Sequence, residues 1–266
     1  MMIEKIISGG QTGAGRAALD AAIQWKISHG GWIPKGRQTE SGRLPDKYKL
    51  QEMETNSYLE RTEQNVIDSD GTLIISHGPL TGSSKYTEEC ALKHHRPCLH
   101  IELNNNIASD AAKYVYQWIT RHNIETLNVA GPRASKDPYI YQATMHLITA
   151  VLHFDLIKAV MPDSNKESTI MPQTVNSAVE MLISKIQLKD SVRIANMQES
   201  DLIYLHLTLG NYIRNTFGLL TGNETLMQNC KDILGKKKIQ VDEASYVIIR
   251  SLWKRVHETH VMRVIK

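Results

Sequence analysis

Three stretches combine glycines, small hydroxyl residues and single cations: Ser8-Gly9-Gly10-Gln11-Thr12-Gly13-Ala14-Gly15-Arg16, Gly78-Pro79-Leu80-Thr81-Gly82-Ser83-Ser84-Lys85 and Gly131-Pro132-Arg133-Ala134-Ser135-Lys136. Each suits the binding of an oxyanion. Glycine lets a backbone approach a ligand with no Cβ in the way, and the unpaired N–H groups of a helix's first turn, with the helix dipole, favour negative charge. Arg16 and Lys85 sharpen this reading, because a cation in a first turn opposes the dipole unless an anion lies near. The plain alternative is a tight strand-to-helix turn with no ligand. Neither standard phosphate pattern occurs: there is no G-x-x-x-x-G-K-[ST], and Gly10, Gly13 and Gly15 do not space as G-x-G-x-x-G.

The elements that must position these loops follow from the apolar pattern. Ile3, Ile6 and Ile7 form a strand, and a helix begins at about Ala14 with Ala18, Ala21, Ala22 and Trp25 on one face. Ser28 to Arg37 reads as a short strand leaving through a glycine, proline and basic loop. With Lys35, Arg37 and Arg43 that loop either folds over a ligand or is solvated surface. Ser57-x-x-Glu60 is a capping box for a helix ending near Asp68-Ser69-Asp70-Gly71. The continuous apolar run Thr72 to Ser76 predicts a central strand, followed by a helix from about Ser84 to His95. A further strand covers residues 97–103, then a helix with Ala112, Val115, Tyr116 and Ile119 on one side. Residues 126–130 form the next strand, and Asp137-Pro138 predicts an N-cap and N1 for a long helix to about Lys158. Strands alternating with helices give a doubly wound α/β fold with a mostly parallel sheet, whose strand ends would bring the three loops to one edge.

Residues 161–170 have the polar, proline-flanked composition of a linker between a first domain of residues 1–160 and a small all-α domain of residues 171–266. In the latter, Val175, Ala178, Val179, Leu182 and Ile186, then Leu202, Leu205, Leu209 and Ile213, then Ala244, Val247, Ile248 and Leu252 follow helical spacing. A net charge of +3 on 266 residues is too small to imply nucleic-acid binding. No apolar run is long enough for a membrane helix and no signal peptide precedes the first strand, so a cytoplasmic protein is expected. Cys90, Cys98 and Cys230 never form C-x-x-C and are expected reduced. The eleven histidines are scattered, without a third ligand beside His257 and His260, so no metal site is expected.

Ile7-Ser8-Gly9-Gly10-Gln11-Thr12-Gly13 with Arg16 to Asp20, Gly30-Gly31-Trp32 with Pro34 to Arg37, Arg61-Thr62-Glu63 with Asn65, Ser69 to Ile74, Gly78 to Gly82, and Asn128 to Arg133 with Ser135-Lys136 resemble the molybdenum cofactor carrier family. The resemblance spans about residues 3–155. It implies membership of the Rossmann-like superfamily that includes the lysine-decarboxylase-like phosphoribohydrolases. The chain departs from the family at Gly15, where an acidic residue is usual, and at Ser83, where a second glycine is usual. Residues 171–266, including Gly210 to Asn215, are similar to an uncharacterised helical bacterial domain.

The resemblance implies a carrier of molybdenum cofactor or a related phosphorylated pterin or nucleotide. The expected binding residues are Gly9, Gly10, Gln11, Thr12, Gly13, Arg16, Lys35, Arg37, Gly78, Thr81, Gly82, Ser83, Ser84, Gly131, Arg133, Ser135 and Lys136. Alternatives are a nucleotide-processing hydrolase, for which the superfamily offers only Glu89 or its neighbour Glu88, and a nucleotide sensor signalling through the helical domain. Glu89 reads more readily as a surface helical glutamate than as a catalytic one, and Asp68 with Asp70 also read as turn residues. A homo-oligomer, an anionic small-molecule ligand and a protein partner for the helical domain are expected, with no membrane or nucleic-acid partner.

Overall fold

The computed structural model describes residues 3–105, 108–160 and 171–260. The expected linker, 161–170, lies outside the described residues. The chain divides into two compact units, residues 1–152 and 153–266.

The first unit is an α/β domain. Its strands are β1 (Lys5–Ile7), β2 (Ser28–Gly30), the two-residue β3 (Trp32–Ile33), β4 (Gln38–Thr39), β5 (Gly42–Arg43) and β6 (Gln51–Glu52), then β7 (Gly71–Ser76), β8 (Cys98–Glu102) and β9 (Thr126–Ala130). Its helices are α1 (Ala14–Gln24), α2 (Tyr58–Ile67), α3 (Gly82–Lys93), α4 (Ala108–Arg121) and α5 (Ile140–Val160), the last running into the second unit. Five strands make one parallel sheet in the order β2-β1-β9-β7-β8. Every residue of β7 is buried, as its unbroken apolar run requires of a strand covered on both faces.

Counting from β9 instead of β1 turns this order into 3-2-1-4-5, the half-sheet order of a Rossmann domain entered at a different strand. The direction of winding reverses between β9 and β7, and ligands in open α/β sheets bind outside the carboxyl ends of strands at such a point. Right-handed crossovers put α1 and α4 on one face and α2 and α3, which pack together, on the other. The α2–α3 layer is closed by Val66, Cys90 and Ala91 with Tyr86 and Cys98 against them. The long basic segment is anchored too: Leu44, Tyr48 and Leu50 pack with Ile33 of β3 and Leu19 of α1.

The start of α5 differs from expectation. The helix begins at Ile140, and residues 138–139 form a turn. Asp137 does accept the Tyr139 N–H at 3.1 Å, but its other oxygen is taken by His77 Nδ1 at 2.7 Å. The Ile140 N–H bonds the Asp137 carbonyl in a turn at 3.3 Å, and the Ala143 N–H bonds the Tyr139 carbonyl at 3.1 Å, so the helical ladder starts from Tyr139.

The second unit is helical. α6 (Val175–Lys185), α7 (Leu188–Ala195), α8 (Leu202–Thr216) and α9 (Glu224–Leu234) pack on α10 (Val241–His260). The seam of α10, Ala244, Ile248, Ile249, Leu252 and Val256, is fully buried. Thr174 and Ser177 form a reciprocal cap at the start of α6. No helix among the described residues is long and apolar enough to cross a membrane.

Candidate functional site

The C-terminal ends of β1, β7 and β9 surround a pocket of about 80 Å³ that opens to solvent. Gly9, Gln11 and Gly15 come from the first loop and helix, Ser83, Ser84 and Thr87 from the start of α3, and Asn128 to Gly131 with Arg133 from β9 and its loop. Tyr58, Leu59, Arg61, Thr62 and Asn65 of α2, beside α3, close it. The loops can approach because Gly13, at φ +78°, sits where a Cβ would lie 2.4 Å from the Pro132 carbonyl; Ala14 N–H then donates to that carbonyl at 3.3 Å.

Arg61 decides the character of the pocket. Its Nε is buried with no hydrogen-bond partner. Burial, and after it the charge of Arg133, pushes the guanidinium pKa down to about 10, and no carboxylate among the described residues opposes that shift. Both guanidiniums lie over the Tyr58 ring, Arg61 at 5.8 Å and Arg133 at 5.1 Å from its centroid. Arg61 also presses on the glycine loop, since a Cβ on Gly9 would fall 1.8 Å from Arg61 Nη1. Two cations thus stand against one aromatic ring, with no carboxylate among the described residues acting on Arg61. A buried donor of this kind costs about 1–3 kcal/mol while unsatisfied, and a tetrahedral oxyanion removes that cost. The first turn of α3, through Ser83 and Ser84, adds helix-dipole donors to the same space.

Asn65 fixes the position of α2. Its Oδ1 accepts the Trp32 N–H at 2.9 Å, and its Nδ2 donates to the carbonyls of Trp32 and Arg61 at 3.2 and 3.0 Å. Asn128 Nδ2 donates to Thr72 Oγ1 at 3.1 Å, tying β9 to β7 beneath the pocket.

Of the residues expected from sequence, Gly9, Gln11, Ser83, Ser84, Gly131 and Arg133 line the pocket. The others lie elsewhere. Arg16 donates to the Gly10 carbonyl at 3.2 and 3.3 Å and stands over the Tyr48 ring at 5.2 Å, so backbone and aromatic face supply the negative partner inferred for it. Arg37 donates to the carbonyls of Leu44, Pro45, Tyr48 and Leu50 and holds the basic segment together from within. Lys35 and Lys136 are exposed. Gly10, at φ +66°, packs against Leu44 and Leu50, while Gly78 at φ +89° and Gly82 at φ +51° shape the β7–α3 loop with open space around them. Thr81 is the N-cap residue of α3. Thr12 and Ser135 both contact Glu40. Glu89 is exposed and outside the pocket lining, and Glu88 pairs with Lys85 at 2.6 Å. Among the described residues no group of three His, Cys, Asp or Glu is placed to hold a metal ion.

Arg61, Tyr58, Asn65 and Asn128 were not among the expected binding residues. Arg61, Asn65 and Asn128 stand in stretches that carry the family resemblance, and that was the only sequence signal for them.

The family described as circularly permutated YpsA SLOG matches residues 6–152, more than half of the chain. The chain belongs to that family. The permutation accounts for a sheet that reads as Rossmann order only when counted from β9. A domain of unknown function, DUF6794, matches residues 171–256 and so covers the helices of the second unit. A solved structure described as "Putative molybdenum carrier protein" from Syntrophus aciditrophicus SB is similar to the SLOG domain at 59% identity and a TM-score of 0.56, over 57% of this chain and 96% of that one. No curated protein matches the chain.

Proposed function

We propose that the SLOG domain is a carrier that holds a small phosphorylated ligand by its oxyanion, with molybdenum cofactor or a related phosphorylated pterin as first candidate. The observation that carries this reading is Arg61: a half-buried side chain whose Nε is buried without a hydrogen-bond partner, crowded by Arg133 at a strand switch point. A phosphoryl group supplies the missing acceptors, and the helix end and glycine backbone around it supply further donors. The pocket is well below the several hundred Å³ that a whole organic ligand fills, so it suits the anionic end while the ligand's body lies toward solvent. The described relative's name points to a molybdenum-containing cargo.

Binding without bond breaking is favoured over hydrolysis by the lining. Its polar groups are hydroxyls, carboxamides and guanidiniums, with no carboxylate, imidazole or thiol to take a proton near neutral pH. A hydrolase reading rests instead on His77, which Asp137 orients at the end of β7. The two are separated by incubating the full chain with nucleoside monophosphates while following free base, and in parallel measuring retention of molybdenum cofactor through gel filtration. Retention that survives Glu89→Gln and His77→Gln and is lost in Arg61→Met is expected. Steady base release that either Glu89→Gln or His77→Gln abolishes overturns the carrier reading. We place its action in the cytoplasm, where the free Cys90, Cys98 and Cys230 stay reduced. Assembly into a homo-oligomer, and a protein partner for the helical unit, belong to the same proposal and are read by light scattering and co-purification.

A further inference from the structure

The two-residue turn between β4 and β5 carries a carboxylate onto donors of two ligand loops. Glu40 Oε1 accepts from the Thr12 hydroxyl and from the Ser135 N–H at 3.3 Å, and Oε2 accepts from the Ser135 hydroxyl at 2.5 Å. The Glu40 N–H donates to Gln11 Oε1 at 3.2 Å, and Gln11 Nε2 donates to the Gln38 carbonyl at 3.2 Å. Thr12 follows β1 and Ser135 follows β9, so one side chain bridges the two loops. Gln11 also lines the Arg61–Arg133 pocket, which puts the bridge directly beside it.

We propose that Thr12 and Ser135 form a second oxyanion subsite, filled by Glu40 in the free protein and taken over by a second anionic group of the ligand. This rests on the phosphate reading of the neighbouring pocket and narrows it to a ligand bearing two oxyanions. Hydroxyl and amide donors accept a phosphoryl oxygen on the same terms as a carboxylate oxygen. The hairpin is built to release. Its base is fixed by Arg37, half-buried and hydrogen-bonded to four carbonyls, whereas Glu40 and Ser41 at its tip are exposed and held by hydrogen bonds. Gly42, at φ +95°, has nothing within 4 Å of the position a Cβ would take, so this side of the tip is open. Glu40 is therefore a competitor in cis, and a ligand with one oxyanion leaves it in place.

Calorimetric titration of the full chain with inorganic phosphate and with pyrophosphate tests this. Glu40→Gln is expected to bind pyrophosphate about tenfold tighter than wild type, a gain larger than the one it shows for phosphate. The gain should vanish in Glu40→Gln combined with Ser135→Ala, which separates a vacated subsite from a general loss of negative charge. In wild type, pyrophosphate but not phosphate should speed hydrogen exchange in residues 38–43. Phosphate binding with no pyrophosphate gain in Glu40→Gln, or a gain that survives Ser135→Ala, overturns the subsite alone. Failure of wild type to bind phosphate overturns the pocket reading and the subsite with it.

Discussion

Arg61 is held against its own solvation. An ion drawn out of water with no opposite charge beside it carries a desolvation penalty that an apolar side chain of similar length avoids. Arg61→Met is accordingly expected to raise the melting temperature of the ligand-free protein, and a melting temperature well below wild type would mark Arg61 as a structural ion-pair residue instead. Gly9→Ala is the complementary change. Its methyl would collide with the far end of the Arg61 side chain and with nothing in the backbone, so it should fold normally, keep both charges and lose phosphate affinity. Affinity equal to wild type would mean that the Arg61 head does not face the anion. At this scale residue type and spacing drew Gly9, Gly131 and Arg133 to the pocket wall but not Arg61. Arg16 and Arg37 read as ligand groups because they stand in glycine-rich segments, yet carbonyls of irregular backbone are equally good acceptors, and nearby ones claimed both side chains.

Among the elements, the strand, loop and helix alternation was legible because each strand is a short apolar run and each helix has one apolar face. The site was half legible for the same reason: loops after β1, β7 and β9 can be placed on one sheet edge without knowing any contact. Helix α2 could not be placed so. It reaches the pocket because the crossover from β2 to β7 spans the sheet and lays α2 beside α3, a tertiary event with no local signal. The segment between β3 and α2 was left open between cover and surface. It is anchored by Arg37, and Arg37→Met should destabilise the protein by about 1–3 kcal/mol, because the Leu44 and Leu50 carbonyls lose this donor while those of Pro45 and Tyr48 keep the N–H groups of Tyr48 and Leu50. Limited proteolysis would then cut within residues 38–50 first; resistance equal to wild type would show that Leu44, Tyr48 and Leu50 suffice to hold it.

For the whole molecule, the match of separate families to residues 6–152 and 171–256 agrees with two compact units. A fragment of residues 1–160 is expected to fold and bind phosphate as the full chain does, and an insoluble fragment would mean that one core serves both. The second unit should be the acid-sensitive one. His153 is fully buried, and burial pushes its pKa down to about 3. An unfolded chain with a histidine near 6.5 binds the proton first, so stability is complete above that pH and falls as pH drops from about 6.5 toward 3, by at most about 1.4 kcal/mol per pH unit. The melting temperature of the helical unit should decline over that window in wild type and flatten in His153→Leu; an unchanged slope would assign the loss to other groups. Most direct for the central claim is a calorimetric titration of the full chain with inorganic phosphate, in wild type and in Arg61→Met with Arg133→Met. One phosphate per chain, weakened by raised salt and absent from the double variant, is the result expected, whereas equal binding by both proteins would contradict it.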